Sequence, residues 1–302
     1  MRWDDFRQSE NVEDYRGSSG GGGGGLPGGA GGLGIGSVLV LGILGWALGI
    51  DPRLLISGAE MVGGGASQYQ QEAPRRPRGT PATDEAGRFI GGVLGETEDR
   101  WKEIFEKAGK RYAPPALRMF TGRLPTEGCG LAQAAMGPFY CPGDKRIYLD
   151  TSFFRDIETK FRGCQGKACK FSQAYVIAHE VGHHVQNLLG ILPKVQQMQR
   201  GMDKIEANLL QVRVELQADC FAGVWAYYEK QKRDFLEPGD IDAALQTASA
   251  IGDDTLQKRA GGAVVPDAFT HGSAEQRKRW FNNGFTRGTI AACNTFDASA
   301  RL

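Results

Sequence analysis

Ala178-His179-Glu180-Val181-Gly182-His183-His184 lies inside the apolar run from Phe171 to Leu192, and its reading decides the fold. In an α-helix, residues four apart share a face, so His179 and His183 can each aim a ring nitrogen at one ion. Neutral imidazole is a good zinc ligand, and two histidines with one carboxylate leave a fourth position open for water. Glu180 reaches that water rather than the ion and can take its proton. The stretch therefore predicts a helix over about 171–189 carrying half of a zinc-dependent hydrolytic site. Gly182 costs such a helix roughly 1 kcal/mol against alanine. A small residue there would let another element pass close to the metal; dispensable drift is the alternative.

The other half has to come from elsewhere. After a break at Gly190 to Pro193, a second helical pattern runs from Met202 to about Lys232. Ile205, Leu209, Val212, Leu216, Cys220, Val224 and Tyr227 mark its expected buried stripe. Glu215 and Asp219 border that stripe one turn apart, where carboxylates are costly unless paired or metal-bound. Glu215 is the candidate third ligand, and Asp219 the candidate acceptor for the free ring N–H of a ligating histidine. An outward-facing acidic pair on an ordinary helix is the alternative. His184 is five residues on from His179, faces another direction and reads as structural.

These residues carry a resemblance. His179-Glu180-x-x-His183 followed by Glu215-Leu216-Gln217-Ala218-Asp219 is similar to the Glu-zincin arrangement of thermolysin-type metallopeptidases. More closely, residues 137–150 (GPFYCPGDKRIYLD), 174–190 (AYVIAHEVGHHVQNLLG), 215–226 (ELQADCFAGVWA), 251–254 (IGDD) and 271–281 (HGSAEQRKRWF) together resemble the bacterial neutral zinc metallopeptidase family. The resemblance spans nearly the whole chain. It implies one Zn²⁺ on His179, His183 and Glu215, with Glu180 as general base. It also implies a late histidine that stabilises the oxyanion, for which His271 is the candidate. The segment around His271 is similar to that of membrane CaaX-processing peptidases, with Gly272 where those have proline; a helix-capping or structural histidine is the alternative. Tyr140, Tyr148 and Tyr175 are further candidate oxyanion donors. Asp253 and Asp254 could bind a cation or meet Arg277 or Arg279, although carboxylates capping a loop are the preferred reading.

The composition of 302 residues, with 36 Lys and Arg against 35 Asp and Glu, gives no reason to propose nucleic acid as a partner. Residues 1–32 read as a polar and glycine-rich tail, residues 33–50 as an uncharged transmembrane helix, and 51–82 as a linker rich in Gly, Gln, Pro and Arg. A cleaved signal peptide is the rival reading of the apolar stretch, but more than thirty residues precede it. Arg2, Arg7 and Arg16 precede the span and Arg53 alone closely follows it. This places the N-terminus in the cytoplasm and the later residues outside, a domain held at the bacterial inner (plasma) membrane on its periplasmic or extracellular side.

All six cysteines follow the span. Cys129–Cys141 would close a hairpin over Ala132 to Tyr140, Cys164–Cys169 a tight loop, and Cys220–Cys293 would pair by elimination; unpaired buried thiols are the alternative for the first pair. The domain over 83–302 opens on a helix capped near Thr83-Asp84, then passes through short strands at Leu117 to Phe120, Leu131 to Met136 and Ile147 to Leu149. The expected fold is α+β and zincin-like: a small antiparallel sheet beside two site helices. The expected function is a membrane-anchored zinc endopeptidase acting on a peptide or protein substrate. A catalytically idle, zinc-stabilised adaptor and a hydrolase of non-peptide bonds are the rival classes.

Overall fold

The computed structural model describes residues 1–16, 83–232, 235–261, 263–300 and 302. The expected span over 33–50 and the linker over 51–82 lie outside them. Among the described residues no helix is long and apolar enough to cross a membrane.

The first element is one the sequence did not suggest. Strand β1 (Val12–Asp14) pairs in parallel with β2 (Ala116–Phe120), Val12 opposite Leu117 and Asp14 opposite Met119. The segment before it is packed as well: Met1 and Phe6 are buried, and the Phe6 ring meets Phe235 edge-on with centroids 5.5 Å apart. Ser9 Oγ and Asn11 Nδ2 donate to Glu98 Oε1 at 2.6 and 2.9 Å. Glu13 is buried because Arg118 of β2 donates to it from Nε at 2.5 Å, while the same guanidinium donates to Glu127 at 2.8 Å. Met1–Arg16 is thus part of the domain and not a tail. Were residues 33–50 to cross a membrane once, the two partners of one sheet would lie on opposite faces. The expected separation of the N-terminus from the domain is corrected accordingly.

Helix α1 (Glu85–Lys107) starts where the capping signal predicts: the Asp84 side chain accepts from Gly87 N at 3.0 Å. It buries Phe89, Ile90, Val93, Leu94, Trp101 and Phe105. Strands β3 (Arg123–Pro125) and β4 (Leu131–Gln133) form a two-stranded antiparallel sheet. Strands β5 (Phe139–Cys141) and β6 (Arg146–Asp150) follow, joined by the Pro142-Gly143-Asp144 turn. The larger sheet runs β1-β2-β6-β5, and its first two pairings are parallel. The expected antiparallel sheet is therefore mixed, with only the β5 edge antiparallel. The excursion through β3, β4 and β5 is long enough to return β6 alongside β2 in the same direction.

Helices α2 (Ser152–Thr159), α3 (Cys169–Leu188), α4 (Ile191–Gln199), α5 (Lys204–Lys232), α6 (Asp240–Ala250), α7 (Asp253–Arg259) and α8 (Ala274–Arg287) complete the domain. The α5 stripe begins later than its periodicity suggests. Ile205 and Leu209 are exposed, whereas Val212, Leu216, Cys220 and Val224 are buried. From Val214 to Ala226 the helix is covered on all sides, because α3 and α8 flank it. Glycine makes the α8 crossing possible: a Cβ on Gly284 would stand 1.9 Å from the Cys220 carbonyl oxygen. The bridges are Cys129–Cys141, Cys164–Cys169 and Cys220–Cys293. The first joins β5 to the loop before β4 and does not close a β4–β5 hairpin, since β4 pairs with β3.

Candidate metal centre

His179 and His183 stand one turn apart on α3, and Glu215 reaches them from α5. The Glu215 Oε2 atom lies 3.3 Å from His179 Nε2 and 3.4 Å from His183 Nε2, and the three ligand atoms all fall within 4.8 Å of one another. Ligands placed about 2.0–2.1 Å from a tetrahedral ion are themselves about 3.3–3.4 Å apart. The donor set, two imidazoles and a carboxylate, is one that zinc favours. The residues fit the ion.

The two helices can converge because Gly182 sits between the histidines at their crossing. A Cβ there would come 3.0 Å from the Ala218 carbonyl oxygen. Of the two readings left open by the sequence, the structure supports close approach.

Asp219 is wholly buried and accepts from three sides. The pairs are His179 Nδ1 to Oδ1 at 2.8 Å, Tyr175 Oη to Oδ1 at 2.6 Å, and Arg277 Nε to Oδ2 at 2.8 Å with Nη2 to Oδ1 at 2.9 Å. Burial opposes the charged carboxylate, but the Arg277 guanidinium and the His179 ring overcome it and hold Asp219 below the usual carboxylate range. Since a carboxylate only accepts, His179 carries a proton on Nδ1, and in the neutral ring that a metal binds the bare nitrogen is Nε2, on the Glu215 side. Asp219 thus stands within hydrogen-bond reach of the His179 ring. Arg277, which the sequence offered only as a partner for Asp253 or Asp254, is the charge that lets Asp219 stay ionised in the interior.

Glu180 is buried beside His183, close enough for its charge to act on that ring, and its Oε2 has no hydrogen-bond partner among the described residues. Glu215 is steadied through its other oxygen, which accepts from Gln211 Nε2 at 2.8 Å. Burial disfavours the Glu215 charge, yet His183 and His179 keep its carboxyl well below the ordinary range. In the metal-free chain the same attraction works on His183: burial pulls the ring down, Glu215 pulls harder, and the net value is about 9.

His271 lies on the loop before α8, near enough to Glu215 for the two charges to interact. Its side chain is half exposed. Asp253 shapes this loop: Oδ2 accepts from the backbone nitrogens of Thr270, His271 and Gly272 at 2.7, 2.6 and 3.1 Å, and Oδ1 stands 3.3 Å from His271 Nδ1. Gly272 has φ +91°, a conformation open to glycine and not to the proline of the similar segments. Asp254 accepts from Ala274 N at 2.8 Å, so both aspartates cap the loop, as the preferred reading has it.

The three candidate tyrosines are already engaged. Tyr175 donates to Asp219, and Tyr148 donates to Asp144 at 2.5 Å. Tyr140 meets His184 Nδ1 at 3.1 Å and Asn187 at 2.9 Å. His184 Nε2 faces the Ala113 carbonyl at 2.6 Å, and burial lowers its pKa to about 4. It is a neutral core histidine.

The family described as "Putative neutral zinc metallopeptidase" matches residues 1–296. "Uncharacterized protein YpfJ" of Escherichia coli (strain K12) is 49% identical over 304 residues, covering 99% of this chain and 100% of that protein. "Uncharacterized protein Rv2575" of Mycobacterium tuberculosis (strain ATCC 25618 / H37Rv) is 39% identical over 269 residues, covering 83% and 85% of the two chains. No solved structure matches significantly. With its match running through β1, both site helices and the His271 loop, the chain belongs to this zinc metallopeptidase family.

Proposed function

We propose that the chain is a zinc-dependent endopeptidase acting on peptide or protein substrates. One observation carries the reading: three ligand atoms converge within 4.8 Å of one another, and the buried Glu180 lies beside them with one oxygen unpaired among the described residues. A buried carboxylate oxygen is costly to leave unsatisfied in a purely structural site, but suits a base that awaits a water. His179, His183 and Glu215 would hold the zinc. When bound, the ion supplies a Lewis acid that polarises the scissile carbonyl and acidifies the attacking water.

The chain does the rest. Glu180 takes the proton of the attacking water and hands it to the leaving amine. His271, steered by Asp253, donates to the oxygen on which negative charge develops. Asp219 and Arg277 keep the first ligand's ring in one orientation. Three disulfides suit an oxidising compartment. The test uses two variants of the full chain. Glu180→Gln should keep its zinc and lose cleavage of an unbiased peptide library, and His183→Ala should lose both. Cleavage that survives Glu180→Gln would refute the mechanism.

A further inference from the structure

The two histidine ligands are held in different ways. A ligating imidazole must offer a bare nitrogen to the metal, and the group bonded to its other nitrogen decides which one is bare. For His179 that group is a carboxylate, which leaves no choice. For His183 it is an amide: Gln186 Oε1 lies 2.9 Å from Nδ1. An amide can turn either end toward a ring, so Gln186 alone specifies nothing.

Its surroundings specify it. Gln186 is fully buried, and its Nε2 stands 2.7 Å from the Val214 carbonyl oxygen, which can only accept. The second hydrogen on that nitrogen points at Gln217 Oε1, 3.1 Å away. Gln217, also buried, is fixed in turn because its Nε2 donates to the Cys293 carbonyl oxygen at 2.9 Å. Turning either amide over would set oxygen against oxygen in the buried interior. Two backbone carbonyls therefore dictate the direction of both amides, and Gln186 Oε1 has to accept from His183 Nδ1–H. In the neutral ring that a metal binds, the bare Nε2 is then the atom beside Glu215 Oε2. The far end of this relay is anchored covalently, since Cys293 is bridged to Cys220, three residues beyond Gln217 on α5.

We infer that Gln186 and Gln217 are positioning residues that lock His183 into its metal-binding tautomer, with Cys293 as the fixed end of the relay. The inference rests on the assignment of His179, His183 and Glu215 as zinc ligands. Two readouts test it, neither of them activity. In the zinc-loaded full chain, long-range ¹H–¹⁵N correlation spectra should show His183 with its proton on Nδ1. A proton on Nε2 would overturn the inference, and this result needs no variant to fold. Competition with a chromophoric chelator should show Gln186→Met weakening zinc binding by about 10- to 100-fold. Gln217→Met, which touches no ligand, should weaken it several-fold, and the double variant should be no worse than Gln186→Met alone. A folded Gln217→Met chain that binds zinc like the wild type would also overturn it. If the wild-type chain takes up no zinc, it is the metal assignment that fails.

Discussion

Gly182 meets Ala218 backbone to backbone, its missing Cβ leaving 3.0 Å to the Ala218 carbonyl oxygen and 3.1 Å to the Ala218 Cα. Ala218 lies between Glu215 and Asp219, so this contact sets the separation of the two halves of the candidate metal centre. Alanine is the better helix former by roughly 1 kcal/mol. Gly182→Ala should nonetheless destabilise the chain by about 1–3 kcal/mol through overpacking. Zinc affinity should fall with it. Thermal unfolding and chelator competition check both; an alanine variant that gains stability and keeps its zinc would show slack between the helices.

Zinc uptake should release protons. Burial lowers the His183 pKa, but the adjacent Glu215 carboxylate more than compensates and raises it to about 9 in the metal-free chain. The ion needs the neutral ring, so zinc affinity should climb with pH and level off above about 9. Stability of the metal-free chain runs the other way. This ring's folded value exceeds its unfolded one, so its contribution is complete below the ordinary histidine range and is lost as pH rises toward about 9. Calorimetry in two buffers of different ionisation enthalpy measures the protons, and denaturation of the metal-free chain across that window measures the stability.

Arg277→Met should be among the most damaging single changes outside the ligands. It would leave Asp219, wholly buried, with His179 and Tyr175 but without its guanidinium. Removing one partner of a buried ion pair costs about 3–5 kcal/mol. Denaturant midpoints measure the loss. Arg277→Lys should recover only part of it, because an ammonium cannot make the two-point contact.

Truncation at the start of α1 should not yield a sound domain. Removing Met1–Arg16 strips β1 from β2, uncovers the pocket of Phe6 and takes Glu13 from the buried Arg118. The fragment should unfold with lower cooperativity than the full chain. A synthetic peptide of residues 1–16 should restore part of the lost stability in trans, and circular dichroism melts with and without it decide the point.

The site was legible where chemistry and helical spacing coincide. His179, Glu180 and His183 fall on one turn, Glu215 and Asp219 on another, and an acid at the edge of an apolar stripe needs a partner. The disulfide pairings followed from short spacings and elimination. Arg277 was not legible as the partner of Asp219: it shares a helix face with Trp280, Phe281 and Gly284, but spacing does not say which element that face meets. The β1 strand was hidden for a different reason: Val12-Glu13-Asp14 has no apolar alternation, and Glu13 is tolerable in the interior only beside Arg118, over a hundred residues away. Strand direction was equally invisible, since alternation marks a buried face and not the sense of the neighbour. Gln186 and Gln217 carry no spacing signal either; their role exists only in three dimensions.

Arg16 holds Asp84 with two parallel hydrogen bonds, Nη1 to Oδ2 and Nη2 to Oδ1, both 2.8 Å long. The end of the segment that carries β1 and the cap of α1 are therefore clasped together, on either side of residues 17–83. In engineering terms the interval is a cassette. Excising it and joining Arg16 to Asp84 through a few glycines should preserve β1, the metal ligands and the disulfides in one shorter chain. The domain can be cut out of its context at this seam, with its own first strand still attached.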